Sequence, residues 1–204
     1  MTQTGTDSGV LPRQLPGAHI ADPAPLGLGA FALTTFFLSA VNAGWVPASV
    51  EPVVFGLALA YGGGAQFVAG MWEFAKGNTF GATAFSSYGA FWLSFWWLTA
   101  HIESYKIPAG DVGKGLGLYL LAWGIFTAYM TVGATKVSGA VLAVFALLTL
   151  TFLVLALGDF QGSENITKIG GYIGLLTALA AWYASFAGVV AFTHKRPLVP
   201  TGAR

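Results

Sequence analysis

The chain has 204 residues, of which 55% are hydrophobic and only 8% are charged, and its formal net charge is +1. Soluble domains carry about a quarter charged residues, so this composition is far too apolar for a water-facing surface. It excludes a soluble enzyme, a nucleic-acid-binding protein and a disordered chain. The sequence contains no cysteine, which also excludes disulfides and thiol catalysis.

The chain opens on a polar segment, residues 1–21, that is rich in Thr, Gly, Pro and Gln. Such a composition buries little apolar surface, so we expect a mobile N-terminal tail. The segment lacks the basic start and the apolar run of a signal peptide, which predicts that the first helix is retained. At the other end, residues 194–204 are predicted to form a basic tail, and residues 22–193 are predicted to form the membrane domain.

Six apolar segments fill the region between the tails, and none contains Asp, Glu, Lys, Arg or His. They are Pro25–Trp45, Pro52–Trp72, Ala82–Ala100, Gly115–Gly133, Ser138–Leu157 and Ile169–Phe192. A helix rises about 1.5 Å per residue, so about twenty residues cross a hydrocarbon core of about 30 Å. Lipid offers backbone groups no hydrogen-bond partner, so each segment must be helical. The sequence predicts an all-α integral membrane protein with six transmembrane helices.

The cations of the connecting segments predict the orientation in the membrane. With a cytoplasmic N-terminus, the inner segments hold the larger share of Lys and Arg, as the positive-inside rule requires. The inner cations are Arg13, Lys76, Lys136, Lys195, Arg196 and Arg204, and the outer ones are Lys106, Lys114 and Lys168. We therefore expect a multi-pass protein of the cell (inner) membrane with both termini in the cytoplasm.

Two short patterns recur in the two halves of the chain. Leu26–Leu28 begins the first segment and Leu116–Leu118 begins the fourth, while Ala90–Phe95 in the third resembles Ala181–Phe186 in the sixth at nearly the same spacing. A repeat of three helices must be inverted in the membrane, as in many transporters, so the pattern predicts an inverted 3+3 repeat. Chance recurrence of small and aromatic residues in apolar helices explains the patterns equally well.

A heptapeptide with one acidic residue and two prolines spans the start of the first segment. It consists of Asp22, Pro23, Ala24, Pro25, Leu26, Gly27 and Leu28. Prolines suit a first helical turn, and Asp22 is well placed to accept hydrogen bonds from the free N–H groups of that turn. Two interpretations stay open: a rigid helix start, or a helix end whose positive dipole faces an anion.

Polar side chains inside the apolar segments are candidates for contacts with a solute. Gln66 follows three consecutive glycines, which favour close helix packing or weaken the helix locally. Because an amide facing lipid is costly, Gln66 should point at protein or at a pore. Thr34, Thr35 and Asn42 in the first segment either line a path or bond to neighbouring helices.

The connection between the second and third segments is also polar. Asn78 and Thr79 lie in it and are candidates for a polar lining, although an ordinary capped loop explains them as well. Glu73 and Lys76 are three residues apart, a spacing that allows an ion pair on one helix face.

The sequence lacks the motifs that several kinds of chemistry require. The sequence has no G-x-x-x-x-G-K-[ST] phosphate loop and no His-rich or H-E-x-x-H pattern, so we expect no cofactor, no metal site and no ATP-driven pumping. Because no ionisable residue lies within the six segments, a solute path would have to use hydroxyls, amides, aromatic rings and backbone dipoles.

Taken in order, these motifs resemble the acetate uptake transporter family, also called succinate–acetate permeases. The motifs that carry the resemblance, between Asp22 and Thr193, are the heptapeptide, Tyr61–Gly63, Gln66, Glu73, Gly77–Gly81 and Ser87–Trp92. The resemblance implies a six-helix protein that is not an enzyme. It also implies assembly as a homo-hexamer in the lipid bilayer, with a path for acetate or other small carboxylates in each protomer.

The resemblance also implies a constriction. Phe31, Tyr88 and Leu148 match family positions that narrow the path, so we expect Phe31 and Leu148 to exclude water there while Tyr88 donates a hydrogen bond. An anion sheds water at such a narrowing, and hydroxyl, amide and helix-end donors partly replace its hydration. Positions near the acetate path are matched by Pro23, Ala24, Pro25, Leu26, Gly27, Leu28, Thr34, Thr35 and Gln66.

One residue departs from the pattern of the family. The family usually has Asn where this chain has Asp22. Asn can donate a hydrogen bond to an acetate oxygen, whereas an ionised Asp cannot and would repel the anion. We therefore expect Asp22 to cap the helix only, although a proton shared between Asp22 and the solute stays the alternative.

The sequence predicts passage of acetate, with succinate as a further candidate solute, through an anion channel or with proton coupling. Two other functions stay open: a urea or short-amide channel of similar six-helix hexameric outline, and a non-transporting membrane scaffold or sensor. Competition of labelled acetate uptake by propionate or by urea distinguishes the first two, and reconstitution tests the third.

Overall fold

The computed structural model describes residues 20–202, and this part of the chain is built almost entirely from helices. The α-helices are α1 (Ala24–Asn42), α2 (Val54–Leu59), α3 (Gln66–Lys76), α4 (Thr79–His101), α5 (Ala109–Ala134), α6 (Gly139–Gln161) and α7 (Glu164–Thr193). Residues 1–19 of the predicted tail lie outside the described residues. The division into two tails and one membrane domain stays a prediction.

Helices α2 and α3 belong to one membrane-crossing segment, Ala48–Lys76, so the described chain has six long helical segments. Five of these, namely Ala48–Lys76 together with α1, α5, α6 and α7, are long and apolar enough to cross a membrane. The sixth, α4, has 23 residues but is less apolar because it carries Ser, Tyr and Trp side chains. The prediction of an all-α membrane protein with six helices is confirmed, whereas the inverted repeat stays a prediction.

The three consecutive glycines distort the second segment. Ala60–Ala65 form a turn of π-helix between α2 and α3, the wide turn that an extra residue produces in an α-helix. A Cβ atom at Gly62 would lie 2.6 Å from Thr34 Oγ1, and one at Gly63 would lie 2.7 Å from Leu93. The glycines therefore allow close packing and also interrupt the regular helix.

Close approaches of small residues hold the helices together. Helix α1 lies along α7, where Gly171 leaves no room for a side chain beside Ala43. Helix α6 packs between α5 and α7, and α3 packs on α4, where Gly70 faces Ser86. Packing of this kind is the main attraction between helices in lipid, because the bilayer supplies no hydrophobic drive. The face of α1 that carries Phe31, Thr35 and Ser39 lines a cavity shared with residues of α4 and α6.

The helices extend beyond the apolar segments and bring carboxyl groups into the bundle. Glu73 lies within α3 with 0% of its surface exposed, and Asp159 lies half-buried near the end of α6. Both carboxyl groups lie just beyond the ends of the predicted apolar segments, Pro52–Trp72 and Ser138–Leu157, so the segments themselves remain free of charge. A helix ends where its last carbonyl groups find other partners, which need not be where the apolar composition stops.

Candidate solute path

Three cavities follow one another through the described part of the bundle. The first, of about 680 Å³, is a funnel between the connection after α1 and the turn before α7. The second, of about 200 Å³, is a chamber between α1, α4, α5 and α6. The third has only about 20 Å³ on the far side of Phe31 and Leu148. We call the end of the bundle with the funnel the funnel end, and the end that carries Asp22 and Lys76 the closed end.

Shared lining residues connect the cavities. Asn42, Glu51 and Asp159 line both the funnel and the chamber. Phe31 and Leu148 line both the chamber and the third cavity. The row of cavities therefore leads from the funnel to the residues that the family resemblance implies as a constriction.

One face of α1 supplies the polar wall of the chamber. Phe31, Thr35, Leu38, Ser39 and Asn42 line it, a spacing that places them on a single helix face. Because α1 runs from the closed end to the funnel end, its hydroxyl and amide groups follow one another toward the funnel. Apolar residues from the other helices complete the wall, among them Phe91, Phe95, Leu120, Leu148, Phe152 and Leu155. Such a cavity suits a small solute with one polar and one apolar end.

The chamber narrows at Phe31, Tyr88 and Leu148, which are buried with 4%, 3% and 4% of their surface exposed. The ring centroids of Phe31 and Tyr88 are 5.9 Å apart, and Tyr88 also packs on Phe145 at 6.0 Å. All three residues line the third cavity, so the structure brings them together. A space this small and apolar is closed to a hydrated ion.

The hydroxyl group of Tyr88 is not free to donate at the narrowing. Tyr88 Oη lies 2.9 Å from Thr127 Oγ1, and the Thr127 hydroxyl donates to the backbone oxygen of Trp123 at 2.7 Å. A threonine hydroxyl has one proton, so Tyr88 must be the donor to Thr127. In this structure the Tyr88 hydroxyl is therefore occupied by Thr127, and donation from Tyr88 to a solute, which stays a prediction, would require this bond to break.

Gln66 lies on the far side of the narrowing. Its side chain is 1% exposed and lines the third cavity with Tyr88 and Leu148. Gln66 Oε1 has no hydrogen-bond partner among the described residues. A buried amide oxygen without a partner is costly, so a water molecule or a proton-bearing solute at this point would stabilise it.

The heptapeptide is mainly a helix start. Asp22 Oδ1 accepts a hydrogen bond from the backbone N–H of Ala24 at 3.2 Å and pairs with Lys76 Nζ at 2.7 Å. The Pro25 carbonyl oxygen accepts a hydrogen bond from Ser185 of α7 at 2.6 Å, and Leu28 lines the third cavity. Pro23, Ala24, Leu26 and Gly27 do not line the three cavities. Asp22 thus serves as a cap and also ties α1 to the end of α3.

The ion pair expected between Glu73 and Lys76 does not form, since Lys76 reaches Asp22 instead. Glu73 Oε2 accepts a hydrogen bond from Asn78 Nδ2 at 2.9 Å, and Asn78 also caps the start of α4. Asn78 and Thr79 are exposed and lie outside the three cavities. The structure places both of them at the closed end, where Asn78 caps α4 and Thr79 is its first residue.

The lining of the three cavities also shows where other predicted residues lie and which lining residues were not predicted. Thr34 is fully buried, donates to the backbone oxygen of Ala30 at 2.9 Å and lies outside the three cavities. Sequence reasoning missed Glu51, Trp92 and Asp159 as lining residues. The spacing of 31, 35, 38, 39 and 42 could have identified the α1 face, but the acidic residues look like ordinary loop charges.

Comparisons with known proteins agree with this architecture. The sequence pattern described as the GPR1/FUN34/yaaH family matches residues 6–200. The chain is 38% identical to the succinate-acetate/proton symporter SatP of Escherichia coli K12, over 90% of this chain and 96% of that protein. It is 44% identical to the ammonia transport outward protein 2 of Saccharomyces cerevisiae, over 85% of this chain.

A solved structure of the bacterial acetate channel SatP superposes on 90% of this chain and 99% of its own, with a TM-score of 0.83 and 37% sequence identity. The chain spans only 63% to 66% of the length of four fungal relatives.

Proposed function

Because the chain belongs to the GPR1/FUN34/yaaH family, we propose that it carries acetate and related small carboxylates, succinate included, across a membrane. Two relatives named for these solutes support the solute class, one a succinate-acetate/proton symporter and the other an acetate channel. The path runs through the individual protomer, and the solute leaves chemically unchanged.

The observation that supports this proposal is the succession of funnel, chamber and constriction through the bundle. A small carboxylate enters the funnel hydrated and meets hydroxyl and amide groups of α1 in the chamber, which replace part of its water. The apolar constriction then admits a solute only after further dehydration, and a short chain ending in methyl fits such walls better than a polar anion does. Gln66 offers the next polar contact on the far side.

We further propose a homo-hexamer in the cell (inner) membrane with both termini in the cytoplasm, so that the funnel opens outward. The excess of basic residues on the inner side supports the orientation. Large apolar side chains on the outside of the helices support contact with lipid or with other protomers, for example Leu118, Val132 and Phe192, which are 63%, 71% and 71% exposed.

Flux in liposomes tests the proposal. Purified protein is reconstituted, and uptake of labelled acetate is measured with an excess of unlabelled propionate, succinate or urea, with and without a pH gradient. We expect propionate and succinate to compete and urea to have no effect. Uptake that collapses without a pH gradient indicates proton coupling, and uptake that persists indicates a channel. Acetate uptake blocked by urea but not by propionate would contradict the proposal, as would the absence of acetate flux.

A relative named for outward ammonia transport favours a second candidate, a path for ammonia or a short amide. A small uncharged solute also fits a hydroxyl-lined chamber of about 200 Å³. Stopped-flow measurement of the internal pH distinguishes the two candidates. Ammonium pulses that raise the internal pH of proteoliposomes no faster than that of protein-free liposomes exclude the ammonia path, and a large acceleration with no acetate flux favours it.

A further inference from the structure

Two hydrogen-bonding atoms in the wall of the chamber have no partner among the described residues. They are Trp92 Nε1 and Thr35 Oγ1. Their side chains are 2% and 6% exposed, and both residues line the chamber. A polar group that loses water on burial and gains no partner destabilises the fold, so the unpaired state of both groups needs an explanation.

Several other polar groups of the chamber do have partners. Thr151 and Thr99 donate to the backbone oxygens four residues earlier, at 2.9 Å and 2.7 Å. Tyr119 Oη lies 2.7 Å from Ser94 Oγ. Thr35 is placed on a helix like these threonines and yet makes no such bond, which leaves its hydroxyl free to turn toward a ligand.

Both groups lie at the same depth relative to the constriction. Thr35 follows Phe31 by four residues on α1, and Trp92 follows Tyr88 by four residues on α4. Both helices start at the closed end, so each residue lies one helical turn, about 6 Å, to the funnel side of its constriction partner. The two unpaired groups thus belong to one layer of the chamber, directly before the narrowing.

We propose that Trp92 and Thr35 form a binding site for the carboxyl group of a short monocarboxylic solute. This inference rests on the proposed transport function and names where the solute pauses. An indole N–H is a donor only, so its ligand must present an acceptor, and a carboxylate presents two oxygens that strengthen bonds from both donors. An ammonium ion, which only donates, can form no hydrogen bond with the N–H group of Trp92.

The rest of the layer fits the apolar part of such a solute. Phe91, Leu148 and Phe152 line the same chamber, and its volume of about 200 Å³ limits the chain length. Binding at this site compensates the two donors that folding leaves unpaired. It also strips the carboxyl group of water before the constriction.

The experiment compares variants in the liposome flux assay with acetate as the probe. Trp92→Phe removes the donor and keeps a ring, and Thr35→Val removes the hydroxyl at nearly constant volume. We expect each to raise the KM for acetate about tenfold with a much smaller change in maximal rate, since a hydrogen bond to a charged group is lost. Thr35→Ser, which restores a hydroxyl, is expected to recover most of the affinity.

Trp97→Phe is the matched control, because Trp97 lies on the same helix with 54% of its surface exposed, stacked on His101. We expect it to keep the KM of the unmodified protein. The thermal shift of the detergent-solubilised protein with sodium acetate, relative to sodium chloride, gives a second readout that needs no flux. We expect it to shrink in Trp92→Phe and Thr35→Val.

The outcomes separate this site from the transport proposal. Acetate flux in the unmodified protein with unchanged KM and thermal shift in both Trp92→Phe and Thr35→Val overturns the site and leaves the transport proposal intact. If Trp92→Phe does not fold, Thr35→Val against Thr35→Ser decides, and equal KM values for these two overturn the site. No acetate flux and no acetate-specific thermal shift in the unmodified protein overturns both proposals.

Discussion

The two ends of the bundle are built differently around the same constriction. On the funnel side, cavities of about 680 Å³ and 200 Å³ follow one another, and hydroxyl, amide and carboxyl groups line them. On the closed side, the cavity shrinks to about 20 Å³. Beyond it, several polar groups bond to one another, as in the pairs of Asp22 with Lys76 and of Glu73 with Asn78.

The two ends differ in which polar groups are paired, although Gln66 Oε1, Glu73 Oε1 and Ser86 Oγ on the closed side also have no partner among the described residues. Trp92 and Thr35 on the funnel side keep buried hydrogen-bonding atoms without partners, and the proposed site assigns these atoms to the solute. On the closed side, Asn78 caps a helix and donates to a buried carboxyl group, so it stabilises the fold. In the proposed path a solute enters from the funnel side, and the constriction and the closed end must rearrange to let it pass.

The largest effect is expected at the boundary between the two sides. Leu148→Ala removes the side chain that separates the chamber from the third cavity, so the narrowing widens without becoming polar. We expect the ratio of lactate to acetate flux in liposomes to rise about tenfold, consistent with the 1–3 kcal/mol by which pocket shape discriminates methylene-sized differences. Leu150→Ala, at a position on the same helix that is 51% exposed, is the control. An unchanged flux ratio would show that Leu148 does not limit solute size at the constriction.

A smaller effect is expected at the junction of funnel and chamber. Glu51 and Asp159 lie at this junction close enough for their charges to interact, and both face an anion path. Each carboxylate repels a dianion more than a monoanion, by about 1 kcal/mol per unit charge at contact distance in water.

The double variant Glu51→Gln, Asp159→Asn is therefore expected to raise the succinate-to-acetate flux ratio about fivefold at neutral pH. The double variant Glu103→Gln, Asp111→Asn removes two exposed carboxylates outside the cavities and therefore controls for the same change in net charge. A ratio that stays constant in the double variant, or rises equally in the control, contradicts a local role for the two carboxylates.

The smallest effect is expected at the closed end. Asp22→Asn loses the ion pair with Lys76, in which the side chains are 33% and 55% exposed, but Asn keeps the ability to cap. Exposed ion pairs contribute about 0–1 kcal/mol, so thermal denaturation should shift by only a few degrees and acetate flux should stay within about twofold. Asp111→Asn is the control, because Asp111 pairs with Lys114 and its side chain is 55% exposed, as is that of Asp22. A marked change in the pH dependence of acetate uptake would show that Asp22 acts on the solute.

How far the sequence predicts the site depends on the range of the interactions involved. Six charge-free segments of membrane-spanning length predicted the helices, because lipid leaves backbone groups no other arrangement. The helix start at Asp22 was also predictable, since caps depend on neighbours a few residues away.

Contacts between distant parts of the chain were predicted less well. The expected pair of Glu73 with Lys76 used spacing on one helix, but Asp22 comes closer from the start of α1. Tyr88 is expected to donate to the solute, and in this structure its hydroxyl is paired with Thr127 of α5. Both contacts have the same cause: a side chain bonds to whichever group the packing brings nearest, which no local pattern reveals.

The charge-free segments noted at the outset determined by themselves that this is a helical membrane protein and that an anion path within those segments has no cationic side chain. They could not determine that helix ends bring Glu51 and Asp159 to the path, nor that Trp92 and Thr35 keep unpaired hydrogen-bonding atoms before the constriction. Composition records how many polar groups the chain has. Only the packing of α1 against its neighbours decides which of them bond to protein and which stay available to a solute.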